Sequence, residues 1–412
     1  MKKLLLMVLP LFVYGDSLLS LLQSATSNNE LIVSKSLIAD SKNSELESSQ
    51  SNYYPTIDAG AFYQRYDDPN PMSPGTTYGA SATVGFDLYS GGKKSYTVKQ
   101  KKDEFSASLF EYEATKKSIS LSIVQDFYNI KTLESDLVAR KEAAVAVEAQ
   151  LERIKKFFDA ALATSDDVDR LQSAYDKNIY AIESIKFQIL SLKKSLELKV
   201  SKKITSLDNS SFKKIQNNDS NELDSIKALR ATKSSILNAS ETIDSYYYPQ
   251  IRIEDTYSFY GYADEPAIQG FSIDLPKNQN KIMATVNIRL FDFGAISEAK
   301  ESVRLSAEAM SEQINYQNKE QKMNQELALQ RIHTAELNIK TAKSALKSAN
   351  SALKTITEKY NNAIVDNVVY LDALSSQTET KATYEESLNN LELSYALYYY
   401  YNGKKLEEFL DE

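Results

Sequence analysis

The chain has 412 residues, 42% hydrophobic and 25% charged, with a formal net charge of −8, one histidine and no cysteine. That inventory excludes disulfides, thiolate metal sites, cysteine nucleophiles and lipid attachment through cysteine. It also leaves His333 alone where zinc or triad chemistry needs several partners. An acidic chain without a basic block is a poor nucleic-acid ligand, and neither a metal nor a cofactor is expected. Glycine and proline are scarce, 11 and 8 in all. Apart from Pro10, Gly15 and Gly403 they fall in two blocks, Pro55 to Gly92 and Pro249 to Gly294. The stretches 93–248 and 295–402 contain neither, so they are expected to be long helices uninterrupted by turns that need these residues.

In chain order, Met1-Lys2-Lys3 followed by the apolar run Leu4 to Val13 and the small-residue end at Gly15 predicts a secretory signal peptide over 1–15. Its removal would take Lys2 and Lys3 with it and lower the net charge from −8 to −10. No later stretch has 18 consecutive apolar residues, so any membrane crossing must use β-strands. A first helix, Leu18 to Ser51, ends near Tyr53-Tyr54-Pro55, because proline disfavours helix at the residue before it. Strands follow at about 54–66 and 77–89. In the second of these Tyr78, Ala80, Ala82, Val84, Phe86 and Leu88 share one face, and small or polar residues take the other. A coiled-coil hairpin spans about 92–200. Its four-three seam from Phe105 to Phe158 has 13 apolar residues of 16, the exceptions being Lys116, Asp126 and Arg140. The polar stretch 201–221 is a connector.

The order then repeats in 222–412: a helix from Leu223 to Ser245, strands at about 249–261 and 281–293, and a hairpin at about 295–402. Tyr53-Tyr54-Pro55 returns as Tyr247-Tyr248-Pro249, and Leu88-Tyr89-Ser90-Gly91-Gly92 as Leu290-Phe291-Asp292-Phe293-Gly294. Phe158-Asp159-Ala160-Ala161-Leu162 returns as Tyr360-Asn361-Asn362-Ala363-Ile364 at the same offset of 202 as the preceding match. The chain is thus a duplicated unit covering 16–200 and 222–412. Period-two alternation with an apolar face is the mark of a barrel strand, and 13 of the 27 tyrosines lie in 53–96 and 246–262, near strand ends where interfacial aromatics gather. Four strands cannot close a barrel, since about eight are needed. Three copies would supply 12 strands and 12 helical passes.

With this order, the Leu88 to Gly92 and Leu290 to Gly294 junctions, and the hairpin turns Phe158 to Val168 and Tyr360 to Ala373, the sequence resembles the TolC family of outer-membrane efflux ducts over the whole mature chain. The resemblance implies a mainly α fold with a small β part: a duplicated helix-strand-strand-long-hairpin chain that trimerises. Its 12-stranded barrel in outer-membrane lipid would continue into an α-helical barrel in the periplasm. It also implies passive export of cargo in a tripartite efflux or type I secretion system. The partners would be a periplasmic adaptor protein and an inner-membrane transporter of RND, ABC or MFS type.

The same resemblance assigns Ala161, Leu162, Ala163, Ala363, Ile364 and Val365 to adaptor-contact tips, with alanine at 161 and 363 where glycine is usual. It assigns Asp372, Asp167, Asp166 and Tyr360 to a pore constriction, and Gly91, Gly92 and Gly294 to the barrel-to-tube junction. Val369 stands where a second aspartate is common and Val365 where an arginine can occur. Asp166, Asp167 and Asp366 also suit helix N-termini as capping residues, whereas Asp372 is too far inside its helix to cap it. An enzyme is disfavoured by inventory. A periplasmic adaptor or a coiled-coil envelope scaffold would explain the hairpins, but not four membrane-length strands at equivalent places in both halves.

Overall fold

The computed structural model describes residues 16–68, 74–215, 219–263, 274–362 and 364–411. The expected signal peptide and Ala363 lie outside the described residues. Helix dominates, with a small sheet part. The chain forms two compact units, Met1–Ser36 with Glu111–Ser225 and Gln317–Glu412, and Leu37–Phe110 with Ile226–Tyr316. Each unit draws on both halves of the duplicated sequence.

The first helical segment is two helices, α1 (Leu18–Asn28) and α2 (Glu30–Ser51), where the sequence pattern predicts one from Leu18 to Ser51. The break has a local cause in Asn29, which is extended at φ −70° and ψ 124°. Its amide donates to the Ala25 carbonyl, and its Oδ1 accepts from the amides of Leu31 and Ile32 at 3.0 and 3.1 Å. One asparagine therefore ends α1 and caps α2. Its Nδ2 also donates to the Lys199 carbonyl at 2.8 Å.

Strands β1 (Thr56–Arg65) and β2 (Thr76–Ser90) lead into α3 (Lys93–Asp159), 67 residues and about 100 Å at 1.5 Å per residue. The chain returns as α4 (Ser165–Val200). The connector carries β3 (Ser211–Phe212) and packs inward: Ile204, Leu207 and Phe212 are buried, and the Phe212 amide donates to Glu392 at 2.6 Å. The second half comprises α5 (Asp224–Asp244), a 3-10 turn at Ser245–Tyr247, β4 (Gln250–Ala263), β5 (Asn278–Asn287), α6 (Ala295–Asn361) and α7 (Asn367–Tyr401). A short β6 (Leu410–Asp411) pairs antiparallel with β3. Both ends of α3 map onto both ends of α6 at the offset of 202, so the duplication seen in sequence is also one of structure.

The four long strands form one antiparallel sheet in the order β1-β2-β4-β5. Ile57, Val84 and Ile282 lie level across its apolar face, with Asp255 between them on β4. On the opposite face Arg252 Nη1 donates to Asp87 Oδ1 at 2.8 Å, and the hydroxyls of Thr83 and Thr256 meet at 3.0 Å. β5 stops at Asn287, six residues short of the expected end at 293. Asn287 pairs with Gln250, the first residue of β4, so 288–293 have no strand beside them among the described residues.

The larger core lies in the other unit. It joins Leu18, Leu21 and Leu22 of α1, Ile123, Phe127 and Ile130 of α3, Leu196 of α4, Phe212, Tyr399 of α7, and Leu406 and Leu410 near the C-terminal end. Two of the three polar exceptions of the α3 seam are accommodated there or close by. Asp126 is buried and accepts from Lys199 Nζ at 2.6 Å and Ser195 Oγ at 2.9 Å, both from α4, while Arg140 pairs with Asp136 one turn back.

Candidate functional site

Both hairpin turns lie in the same unit, where a second apolar cluster joins all four long helices. Ala143, Val147 and Leu151 come from α3, Leu171 from α4, Tyr360 from α6, and Tyr370 and Leu374 from α7. The rings of Tyr360 and Tyr370 stack at 4.9 Å and 15°. Burial pushes both phenols above their usual range. Tyr360 Oη is enclosed without a hydrogen-bond partner. Arg153 sits 5.5 Å over the same ring and donates to Asn361 Oδ1 at 2.8 Å, tying α3 to the end of α6.

The first turn closes as a Schellman motif. The Leu162 amide donates to the Phe157 carbonyl at 2.8 Å and the Ala161 amide to that of Phe158 at 2.9 Å. The motif puts Ala161 at φ +57°, a left-handed conformation in which glycine is far more comfortable. The corresponding long bond of the second turn, Ile364 amide to Lys359 carbonyl, measures 2.9 Å. Leu162 and Ile364 end these turns fully exposed, at 75% and 68%. Ala163 is half-buried, and Val365 packs against the cluster rather than facing outward.

The acidic residues divide by role. Thr164 caps α4 in a reciprocal box with Asp167: the Thr164 amide donates to Asp167 Oδ2 at 3.1 Å and the Asp167 amide to Thr164 Oγ1 at 3.3 Å. Hydrogen bonds from the Thr164 side chain and then its amide hold the Asp167 carboxyl below its ordinary value. Asp167 Oδ1 also accepts from Asn367 Nδ2 at 3.2 Å, so this cap bridges the two turns. Asp366 caps α7 by accepting from the Val369 amide at 3.0 Å. Asp166 is exposed and pairs with Arg170 at 2.8 Å. Asp372 is exposed on α7, and its side chain has no hydrogen bond or ion pair among the described residues.

Asp167 and Tyr360 are thus engaged in packing the turns together, whereas Asp166 and Asp372 face solvent in the single chain. Arg153, Asn367 and Tyr370 carry no signal in the sequence that singles them out. Asn367 corresponds to Ser165 at the offset of 202, which marks it as a first-turn residue but not as the bridge to Asp167. At the other end of the long helices, Gly91, Gly92 and Gly294 have φ of +64°, +85° and +89°. A Cβ on Gly91 would stand 2.4 Å from the Ser245 carbonyl oxygen, so that position requires glycine both for its backbone and for its neighbour.

Residues 21–185 match the family model described as outer membrane efflux protein. No curated protein matches the chain significantly by sequence. Among solved structures, the outer membrane channel CmeC of Campylobacter jejuni aligns with a TM-score of 0.83 at 14% identity, over 95% of this chain and 86% of its own. A membrane protein of Pseudomonas aeruginosa aligns at 0.82 and 15%, over 94% and 93%. The outer membrane protein VceC of Vibrio cholerae aligns at 0.78 and 14%, over 94% and 96%. These three share the fold of this chain.

Proposed function

We propose that the chain is an outer membrane efflux protein, on the strength of the family model that matches residues 21–185 and the fold shared with CmeC, and that it works as a homotrimeric duct, passing cargo outward from an inner-membrane pump through a periplasmic adaptor. One observation carries the reading. The sheet has an apolar face, two open edges and long helices leading away from it, and four strands with unpaired edge groups are not tolerable in lipid. No described helix is long and apolar enough to cross a membrane. Three copies supply the 12 strands of a closed barrel, and their hairpins the periplasmic tube. The test is fractionation with the mass of the detergent-solubilised protein: a trimer in the outer membrane supports the duct, and a soluble monomer sinks it.

Within that duct, the exposed apolar residues Leu162 and Ile364 are the adaptor contacts. Asp372 lines the narrow entrance, while Asp167 and Tyr360 hold the entrance helices in place. Three copies of a carboxylate around a pore favour cations. Asp372→Ala is therefore expected to reduce cation selectivity and block by multivalent cations in planar bilayers. Unchanged conductance and block would remove Asp372 from the entrance.

A further inference from the structure

The two halves of the chain meet through β2 and β4, and the internal repeat makes that seam a template for the outer edges. The first strand block maps onto the third at an offset of 194, by Tyr53-Tyr54-Pro55 and Tyr247-Tyr248-Pro249. The second maps onto the fourth at 202, by Leu88 to Gly92 and Leu290 to Gly294. β1 therefore corresponds to β4, and β5 to β2. In the seam Asp87 lies opposite Arg252, and the two form an ion pair at 2.8 Å. The corresponding edge residues are Arg289 and Asp58, the same pair with the charges exchanged. The Asp58 side chain has no hydrogen-bond or ion-pair partner among the described residues, and Arg289 rests 5.7 Å over the ring of Tyr246.

We propose that β5 of one copy pairs antiparallel with β1 of the next in the register that sets Arg289 opposite Asp58, so that the strand continues past Asn287. The proposal rests on the closed-ring reading above and fixes the register of its seams. In this register Ala59 stands opposite Ile288 and Ala61 opposite Val286, which keeps apolar residues of both strands on one face, and the bulge that the template carries after Asp87 would bring Ile57 opposite Phe291. A slip of one residue would turn one strand's apolar set to the wrong side. Slips of two residues preserve the faces but separate the charges, so the ion pair is what selects among them.

The seam cannot be copied beyond Phe291. In the template, Gly91 lies against Ser245 and Tyr248, whose counterparts are Ser51 and Tyr54. The counterpart of Gly91 is Phe293, which adopts φ +55° and is 92% exposed. A side chain there holds the neighbouring copy further off than Ser245 stands from Gly91. Its ring fills the widened junction against Tyr54 of that copy.

The sequence has no cysteine, so introduced pairs are its only thiols. Asp58→Cys with Arg289→Cys should oxidise to cross-linked oligomers in outer membranes at roughly ten times the yield of Asp58→Cys with Asn287→Cys or with Phe291→Cys, because a disulfide needs Cα atoms within about 7 Å. Equal or higher yield from a slipped pair overturns the register. Independently, Asp58→Arg and Arg289→Asp should each lower the temperature at which the oligomer dissociates in SDS, and the double exchange should restore it. Failure of the double exchange to restore it also overturns the pairing. If the unmodified protein is monomeric by light scattering, the ring and its seam both fall. If it is a trimer that cross-links in another register, only the seam falls.

Discussion

Ala161 shows how a single side chain can be read from sequence and then weighed from structure. The family resemblance implies glycine at this position, and the φ of +57° shows that the turn takes a left-handed residue with alanine in place. A left-handed non-glycine residue costs roughly 1–2 kcal/mol, partly offset because glycine makes the unfolded chain more disordered. Ala161→Gly should therefore stabilise the first turn by about 0.5–1 kcal/mol, seen as slower amide exchange at Leu162. Faster exchange would contradict that account. Asp167 behaves differently because its carboxylate is the working form. Its folded value lies below its unfolded one, so it contributes stability above about pH 4 that is lost as pH falls through the folded value. The start of α4 and its link to Asn367 should loosen in acid. In Asp167→Ala the same amides should exchange faster at neutral pH, by about 1 kcal/mol of lost cap, and lose their acid dependence.

At the scale of elements, the long helices and their turns are legible because a four-three apolar repeat over dozens of residues has few other meanings. The features that escape are those decided by contacts distant in sequence. The break at Asn29 interrupts a continuous pattern, and its side chain reaches a carbonyl at the far end of α4. The end of β5 is set by where β4 begins, which no local pattern in 281–293 reveals. Asp126 looks like a flaw in the seam on sequence alone, whereas in the folded chain Lys199 and Ser195 of α4 stand beside it. Removing the carboxylate would leave the ammonium of Lys199 without its partner, three-quarters buried. Asp126→Ala is expected to cost about 2 kcal/mol, below the figure for a fully buried pair because Lys199 retains some solvent. Pairing it with Lys199→Met should recover part of that loss in thermal unfolding, and no recovery would place the cost elsewhere.

On the scale of the whole molecule, the duplication and the compact units do not coincide. Sequence shows two similar halves, yet each unit takes strands or helices from both. The repeats can be found by matching letters, whereas the units cannot, because they depend on which faces meet after folding. Residues 16–221 and 222–412 expressed separately should therefore each remain protease-sensitive, and mixing them should restore protection only if they fold together. Protection of either half alone would contradict the shared core. The same core constrains timing. Leu18, Leu21 and Leu22 are buried in the same cluster as Leu406 and Leu410. A polypeptide threaded through a membrane with its amino end leading delivers those first leucines nearly 400 residues before their companions arrive. They can meet Ile123, Phe127 and Leu196 of the first half earlier, but the cluster closes only when Leu406 and Leu410 arrive, so completion of this unit waits on those residues.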